Sequence, residues 1–314
     1  MAGFFNAISA VLMLCMLMSV GYAMGWLKWM GPAEKKFISR FVINIAVPLN
    51  CVTGILNNLQ RDDLAQAVKM LFSAYIGIII TLLISAGAAT LLKLPRKQWG
   101  VFVTMAGLSN ALFIGLPLST QLFGEVSVPF VMIYYLGNTT FTQSVAILLI
   151  ERAGSDEPKG ISLKGIVKDL ITKPPTIGVA VSIFCLAVGF HPPALFMKFA
   201  GYIASTVTPL ALIYCGYIVY EVGLRNLRFM RGIPTMLVIR LLVAPLICTV
   251  MCSITGMTGL ARSVFIVESA LPVVTQVTVM AGAYGADEQY AATGACISML
   301  CCFITIPLLM LWLG

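Results

Sequence analysis

Two short polar interruptions stand out in an otherwise apolar sequence, and they are where chemistry is expected. The first is Leu108-Ser109-Asn110-Ala111-Leu112-Phe113-Ile114-Gly115-Leu116-Pro117-Leu118. Asn110 places an amide where a lipid-facing helix would carry Leu, and Gly115 and Pro117 are residue types that open helices. In hydrocarbon the freed N–H and C=O groups must find protein partners or a watery cavity. A broken membrane helix with a midpoint amide therefore points to solute binding. A proline kink with a packed Asn is the alternative that this stretch alone leaves open. The second interruption, Ser269-Ala270-Leu271-Pro272-Val273-Val274-Thr275-Gln276-Val277-Thr278, has the same character.

The elements that must position these stretches follow from composition. Of 314 residues, 60% are hydrophobic and only 10% charged, and the mean hydropathy is +0.98. Too little polar surface is available to cover a water-soluble domain of this size, so the chain is read as an integral membrane protein. The formal charge of +8 then concerns topology and the membrane surface, and no nucleic-acid-binding pattern accompanies it. The nine cysteines lie mostly within apolar runs and show no zinc-type spacing; Cys301-Cys302 is read as helix packing. The single histidine, His191, adjoins Pro192-Pro193 and is read as a cap. The first apolar run is too long for a cleavable signal and is read as a membrane helix. No cofactor is implied.

Counting against the roughly 20 residues a spanning helix needs gives about ten apolar runs. They cover 4–27, 37–57, 68–92, 99–122, 127–150, 174–190, 196–220, 233–253, 262–284 and 288–313. The odd-numbered connections hold most of the lysines and arginines, among them Lys35, Lys36, Arg96, Lys97, Arg152 and Arg231. Positive charge stays in the cytoplasm, so both termini are expected outside and the 151–173 connection inside. Within that connection Ile161 to Ile171 is expected to form a short amphipathic helix at the inner surface.

An offset of about 161 residues superposes the two sides of this connection. Pro48-Leu49 falls on Pro209-Leu210, and the two polar interruptions fall on each other. With five spans per half, the halves enter the membrane in opposite directions. The expected organisation is a first repeat over 1–151, a cytoplasmic linker over 152–173 and an inverted second repeat over 174–314.

The chain resembles the auxin efflux carrier family, which includes plant PIN proteins and bacterial carriers of small organic anions such as malate and malonate. The matching pieces are Phe41-Val42-Ile43-Asn44-Ile45-Ala46-Val47-Pro48-Leu49, then Asn110 through Pro117-Leu118, then Ala270-Leu271-Pro272 with the run ending at Ala281-Gly282-Ala283-Tyr284. The similarity runs over essentially the whole length. It implies an all-α fold of ten transmembrane helices in two inverted five-helix repeats, with broken fourth and ninth helices crossing. It further implies a scaffold of helices 1, 2, 6 and 7 that often forms a homodimer, and a moving transport domain of helices 3–5 and 8–10. Two departures are notable. Gln276 and Thr278 flank a site where plant carriers place a second proline, and Asn50-Cys51 stands where they have serine. Both make auxin the less expected substrate.

Half-helix N-termini direct unpaired N–H groups and positive dipole ends into such a crossover, which suits a carboxylate. The expected substrate-binding set is Asn110, Gly115, Pro117, Pro272, Thr275, Gln276 and Thr278, with Asn44, Pro48 and Asn50 on the second span and Tyr135, Asn138 and Gln143 on the fifth. For the flanking residues, helix–helix hydrogen bonding is the competing role. Two charges lie within spans. Snorkelling toward the inner surface accounts for Arg240, and Glu268 is the candidate for proton coupling. One histidine and few carboxylates leave nothing from which to build an enzyme site, and no phosphate-cradling Gly-rich loop supports a primary pump. The expectation is a secondary carrier of a small organic anion in a bacterial inner membrane, working by alternating access. An anion channel or a ligand sensor on the same fold is the alternative.

Overall fold

The computed structural model describes residues 2–60, 64–155, 168, 171–223 and 229–313. The chain there is helical: α1 (Ala2–Trp26), α2 (Pro32–Asn58), α3 (Leu64–Leu91), α4 (Arg96–Gly107), α5 (Ala111–Phe123), α6 (128–154), α7 (Pro174–Val188), α8 (Ala194–Val222), α9 (Ile233–Ile254), α10 (Gly259–Ser269), α11 (Gln276–Tyr284) and α12 (Glu288–Leu313). Among the described residues six helices are long and apolar enough to cross a bilayer: α1, α2, α3, α8, α9 and α12. The expected amphipathic helix at Ile161 to Ile171 lies outside the described residues, apart from positions 168 and 171.

Proline shapes several of these helices without ending them. Pro48, Pro117 and Pro245 each follow by two residues a single wide turn, over Val42–Ala46, Ala111–Gly115 and Ile239–Val243 respectively. A wide turn of this kind is a π-bulge, which absorbs the lost N–H donor and the steric demand of the ring. The break in the fourth apolar run accordingly does not fall at Gly115 and Pro117. It falls before them, at Leu108–Asn110, where the backbone turns extended after Gly107. In the ninth run the break follows Ser269 and contains Pro272. His191 is not a cap either; Gly189, at φ +72°, closes α7.

Outward faces carry large apolar side chains, among them Leu12, Phe72, Leu83, Phe184, Val250 and Ile304, as contact with lipid requires. Small residues bring backbones together inside. A Cβ on Gly21 would strike the Ile213 carbonyl, and one on Gly216 the Met18 carbonyl, so α1 and α8 pack at backbone distance. Among the described residues the buried apolar side chains form two clusters rather than one. Leu108 and Val273 belong to one cluster, while Ala111 and Leu271 belong to the other. The partition runs through the two helix breaks, which form a polar belt between two apolar layers.

Candidate functional site: the crossover of two broken helices

At the breaks, the extended residues of the two broken segments pair antiparallel through a single bridge between Ser109 and Val273. The Asn110 N–H donates to the Pro272 carbonyl at 2.9 Å, and the Val274 N–H donates to the Leu108 carbonyl at 3.3 Å. One bridge satisfies only these inward-facing groups. The remaining ones must be met by side chains, because water is scarce in the core. Asn138 meets Ser109 from both sides: its Oδ1 accepts from the Ser109 N–H at 3.1 Å, and its Nδ2 donates to the Ser109 carbonyl at 2.8 Å. The Ser298 hydroxyl accepts from the Val273 N–H at 3.0 Å and donates to the Ala295 carbonyl at 2.8 Å. Asn138 is thus committed to holding the backbone, which is the helix–helix role that competed with substrate contact.

The crossover has two sides. On one, α5 and α11 begin, and their first-turn N–H groups have no intrahelical carbonyl to reach. Asn110 caps α5, its Oδ1 accepting from the Phe113 N–H at 3.4 Å. Its Nδ2 is buried and has no partner among the described residues. Here lies a cavity of about 20 Å³, lined by Ser109 through Phe113, by Tyr135, Asn138, Thr139 and Thr142 of α6, and by Val274, Thr275 and Gln276. Gln276 also accepts from the Gln143 amide at 3.1 Å. The free volume is enough for a water molecule and too small for a dicarboxylate.

On the other side, α4 and α10 end. Arg240, borne on the π-bulge of α9, donates from Nη2 to the Ser269 carbonyl and from Nη1 to the Ala106 carbonyl at 3.4 Å. It is 1% exposed, so the snorkelling expectation is wrong. Snorkelling needs a path to the headgroups, and this side chain runs inward onto two helix C-termini instead. Glu268 is wholly buried as well, but does not pair with it. Its Oε1 accepts from the Ser119 hydroxyl at 2.8 Å, and its Oε2 has no partner among the described residues. Gly115 makes room for this carboxyl: a Cβ there would collide with Glu268 Oε2 and the Leu271 side chain.

The expected residues therefore divide. Asn110, Tyr135, Asn138, Thr275 and Gln276 share the cavity wall, and Gln143 reaches it through Gln276. Gly115, Pro117, Pro272 and Thr278 lie on the broken segments without lining it, and so do Asn44, Pro48 and Asn50 on α2. Asn44 is exposed on the π-bulge of α2, while Asn50 is buried with its Oδ1 unpartnered. The lining residues Thr139 and Thr142 escaped the sequence reading. Their signal was helical spacing from Tyr135 and Asn138, which puts all four on neighbouring turns. Ser298 and its contact with Val273 had no local signal.

Interlocked broken helices inside an apolar helical bundle, with uncharged donors facing a small cavity, define a membrane protein built to handle a solute. The chain belongs to the family described as membrane transport protein, the auxin efflux carrier family, whose pattern it matches over residues 6–310. It is 24% identical over 306 residues to an uncharacterized transporter of Methanocaldococcus jannaschii, covering 95% of this chain and 96% of that one. It is 26% identical over 315 residues to an uncharacterized transporter of Methanothermobacter thermautotrophicus, covering 97% and 98%.

Proposed function

We propose that the protein is a secondary carrier of a small organic anion, with the carboxylate held at the N-terminal side of the crossover. The observation that carries this reading is the orphaned Asn110 Nδ2, buried at the cavity where α5 and α11 begin. Two helix N-termini together present roughly one positive charge. That compensates a single carboxylate without the permanent charge that would slow release. The lining adds the Tyr135, Thr139, Thr142 and Thr275 hydroxyls and the Gln276 amide, all uncharged. The small free volume fits a closed state, in which the site opens to either side as α3–α6 and α9–α12 move against α1, α2, α7 and α8.

In this reading the broken pairs α4–α5 and α10–α11 cross the bilayer along with α6 and α7, making ten spans in two inverted halves. Both termini lie outside, the 151–173 connection is cytoplasmic, and two copies pair through the scaffold in the cell membrane. Thermal unfolding of the purified protein with mono- and dicarboxylates tests the site. One acid should raise the apparent Tm by mass action, and Asn110→Ala should abolish the response. No response to any acid, with the variant behaving like the parent, would overturn the reading in favour of a non-anionic solute or a channel.

Glu268 is the proton-coupling group in this reading. It is buried against α5, with one oxygen bonded to the Ser119 hydroxyl and the other without a partner among the described residues. Glu268→Gln should flatten the pH dependence of uptake while leaving the carrier folded. An unchanged pH profile would remove the role.

A further inference from the structure

The side of the crossover away from the cavity is where a bound cation belongs by electrostatics, and here a side chain occupies it. The C-termini of α4 and α10 converge, each carrying roughly half a negative charge from its unpaired carbonyls. The guanidinium of Arg240 bonds one carbonyl from each, Ala106 and Ser269. Beside it are the Tyr134 hydroxyl and the Cys248 thiol, and the adjoining cavity of about 10 Å³ is lined by Ser73 and Thr81 of α3 together with apolar residues such as Ile78 and Ala244. The Ser73 hydroxyl and the Arg240 Nε are both buried without partners among the described residues. Among the described residues no carboxylate lies within ion-pair distance of Arg240, so the helix ends supply its counter-charge.

We propose that Arg240 is a tethered cation that fills a monovalent cation position at the crossover, so that the fold and its transport cycle require no sodium or other bound metal ion. A planar fork suits the task, because it reaches two carbonyls from different helices at once and is never deprotonated. It also ties α9 to both broken helices, so the three move as one body. Arg240 is buried on the π-bulge that precedes Pro245. Removing the guanidinium leaves a hole walled by two carbonyls and the Ser73 and Tyr134 hydroxyls, a ligand set for a small alkali cation. The inference does not depend on the solute, since its readout is stability.

The test compares unfolding of detergent-purified wild type, Arg240→Ala and Arg240→Lys in sodium, lithium, potassium and choline chlorides at equal ionic strength. Wild type is expected to melt at the same temperature in all four. Arg240→Ala is expected to melt about 5–10 °C lower in choline chloride and to recover at least half of that loss, saturably, with sodium or lithium. Arg240→Lys keeps a charge but spans the carbonyls less well; it should fall between the two and ignore the cation. An equal loss for Arg240→Ala in every salt overturns the proposal. So does saturable stabilisation of wild type by sodium, which would reveal a cation position that Arg240 does not fill. If Arg240→Ala accumulates in no salt while Arg240→Lys does, a positive charge is what the site demands and the proposal stands. If neither lysine nor alanine accumulates, shape rather than charge is required, and it falls.

Discussion

The two sides of the crossover are made from the same device and finished in opposite ways. On one side two helices end, and the converging carbonyls are answered by Arg240, a charge from the chain itself. On the other two helices begin, and among the described residues no charged side chain answers the converging N–H groups. Asn110 spends its oxygen on the Phe113 N–H and leaves its Nδ2 free toward a cavity. The contrast teaches that an unpaired helix end in a membrane is a debt that must be met. A permanent countercharge makes a strut, and under the proposed function a missing one leaves a place for a solute that comes and goes.

Substitutions can break this contrast, and the largest effect after that of Arg240 is expected at Asn138. Asn138→Ala orphans both the N–H and the C=O of Ser109, at about 1–3 kcal/mol for each buried group. Unfolding should show a large fall in Tm, and Asn138→Asp, whose ionised carboxylate would set an acceptor against the Ser109 carbonyl in a buried site, a fall at least as large. Both should weaken the Ser109–Val273 bridge itself and so injure the two sides together. An Asn138→Ala protein of parental stability would mean that the bridge holds without its clamp.

Gly115→Ala comes next. It forces Glu268 or Leu271 aside at a cost of about 1–3 kcal/mol. The double variant Gly115→Ala/Glu268→Ala should recover part of the loss, a non-additivity readable in a double-mutant cycle. Strict additivity would show that the glycine serves something other than room for the carboxyl. The smallest stability effect is expected at Asn110→Ala, about 1 kcal/mol for a lost N-cap. The same variant should lose the whole ligand response, so that stability and binding separate at this residue and go together at Asn138.

Much of the architecture was legible in the sequence because hydrocarbon restricts what a chain can do. Apolar runs near bilayer length gave helices close to the expected bounds, such as 233–253 against Ile233–Ile254 and 288–313 against Glu288–Leu313. The two interruptions were found for the same reason: polar residues are costly there and need a cause. Their inner arrangement was not legible. Gly115 and Pro117 look like the break by residue type, yet a π-bulge absorbs Pro117 and the chain opens at Leu108–Asn110 instead. Arg240, about two turns in from a helix end, reads as a snorkelling residue along its own helix. Only the arrival of α4 and α10 makes the inward rotamer the better one.

By itself, then, the sequence determined that this is a helical membrane protein with two helices that break near mid-length, because hydropathy and spacing along one chain carry that information. What the tertiary structure decided is which groups meet at the breaks. The bond from Asn110 to Pro272, the grip of Asn138 on Ser109, the contact of Ser298 with Val273 and the reach of Arg240 to Ala106 and Ser269 mostly join residues far apart in the sequence. Hydrogen bonding acts over about 3 Å and depends on direction, so these partnerships exist only once the helices are packed. A pattern of residue types along the chain carries neither that distance nor that direction.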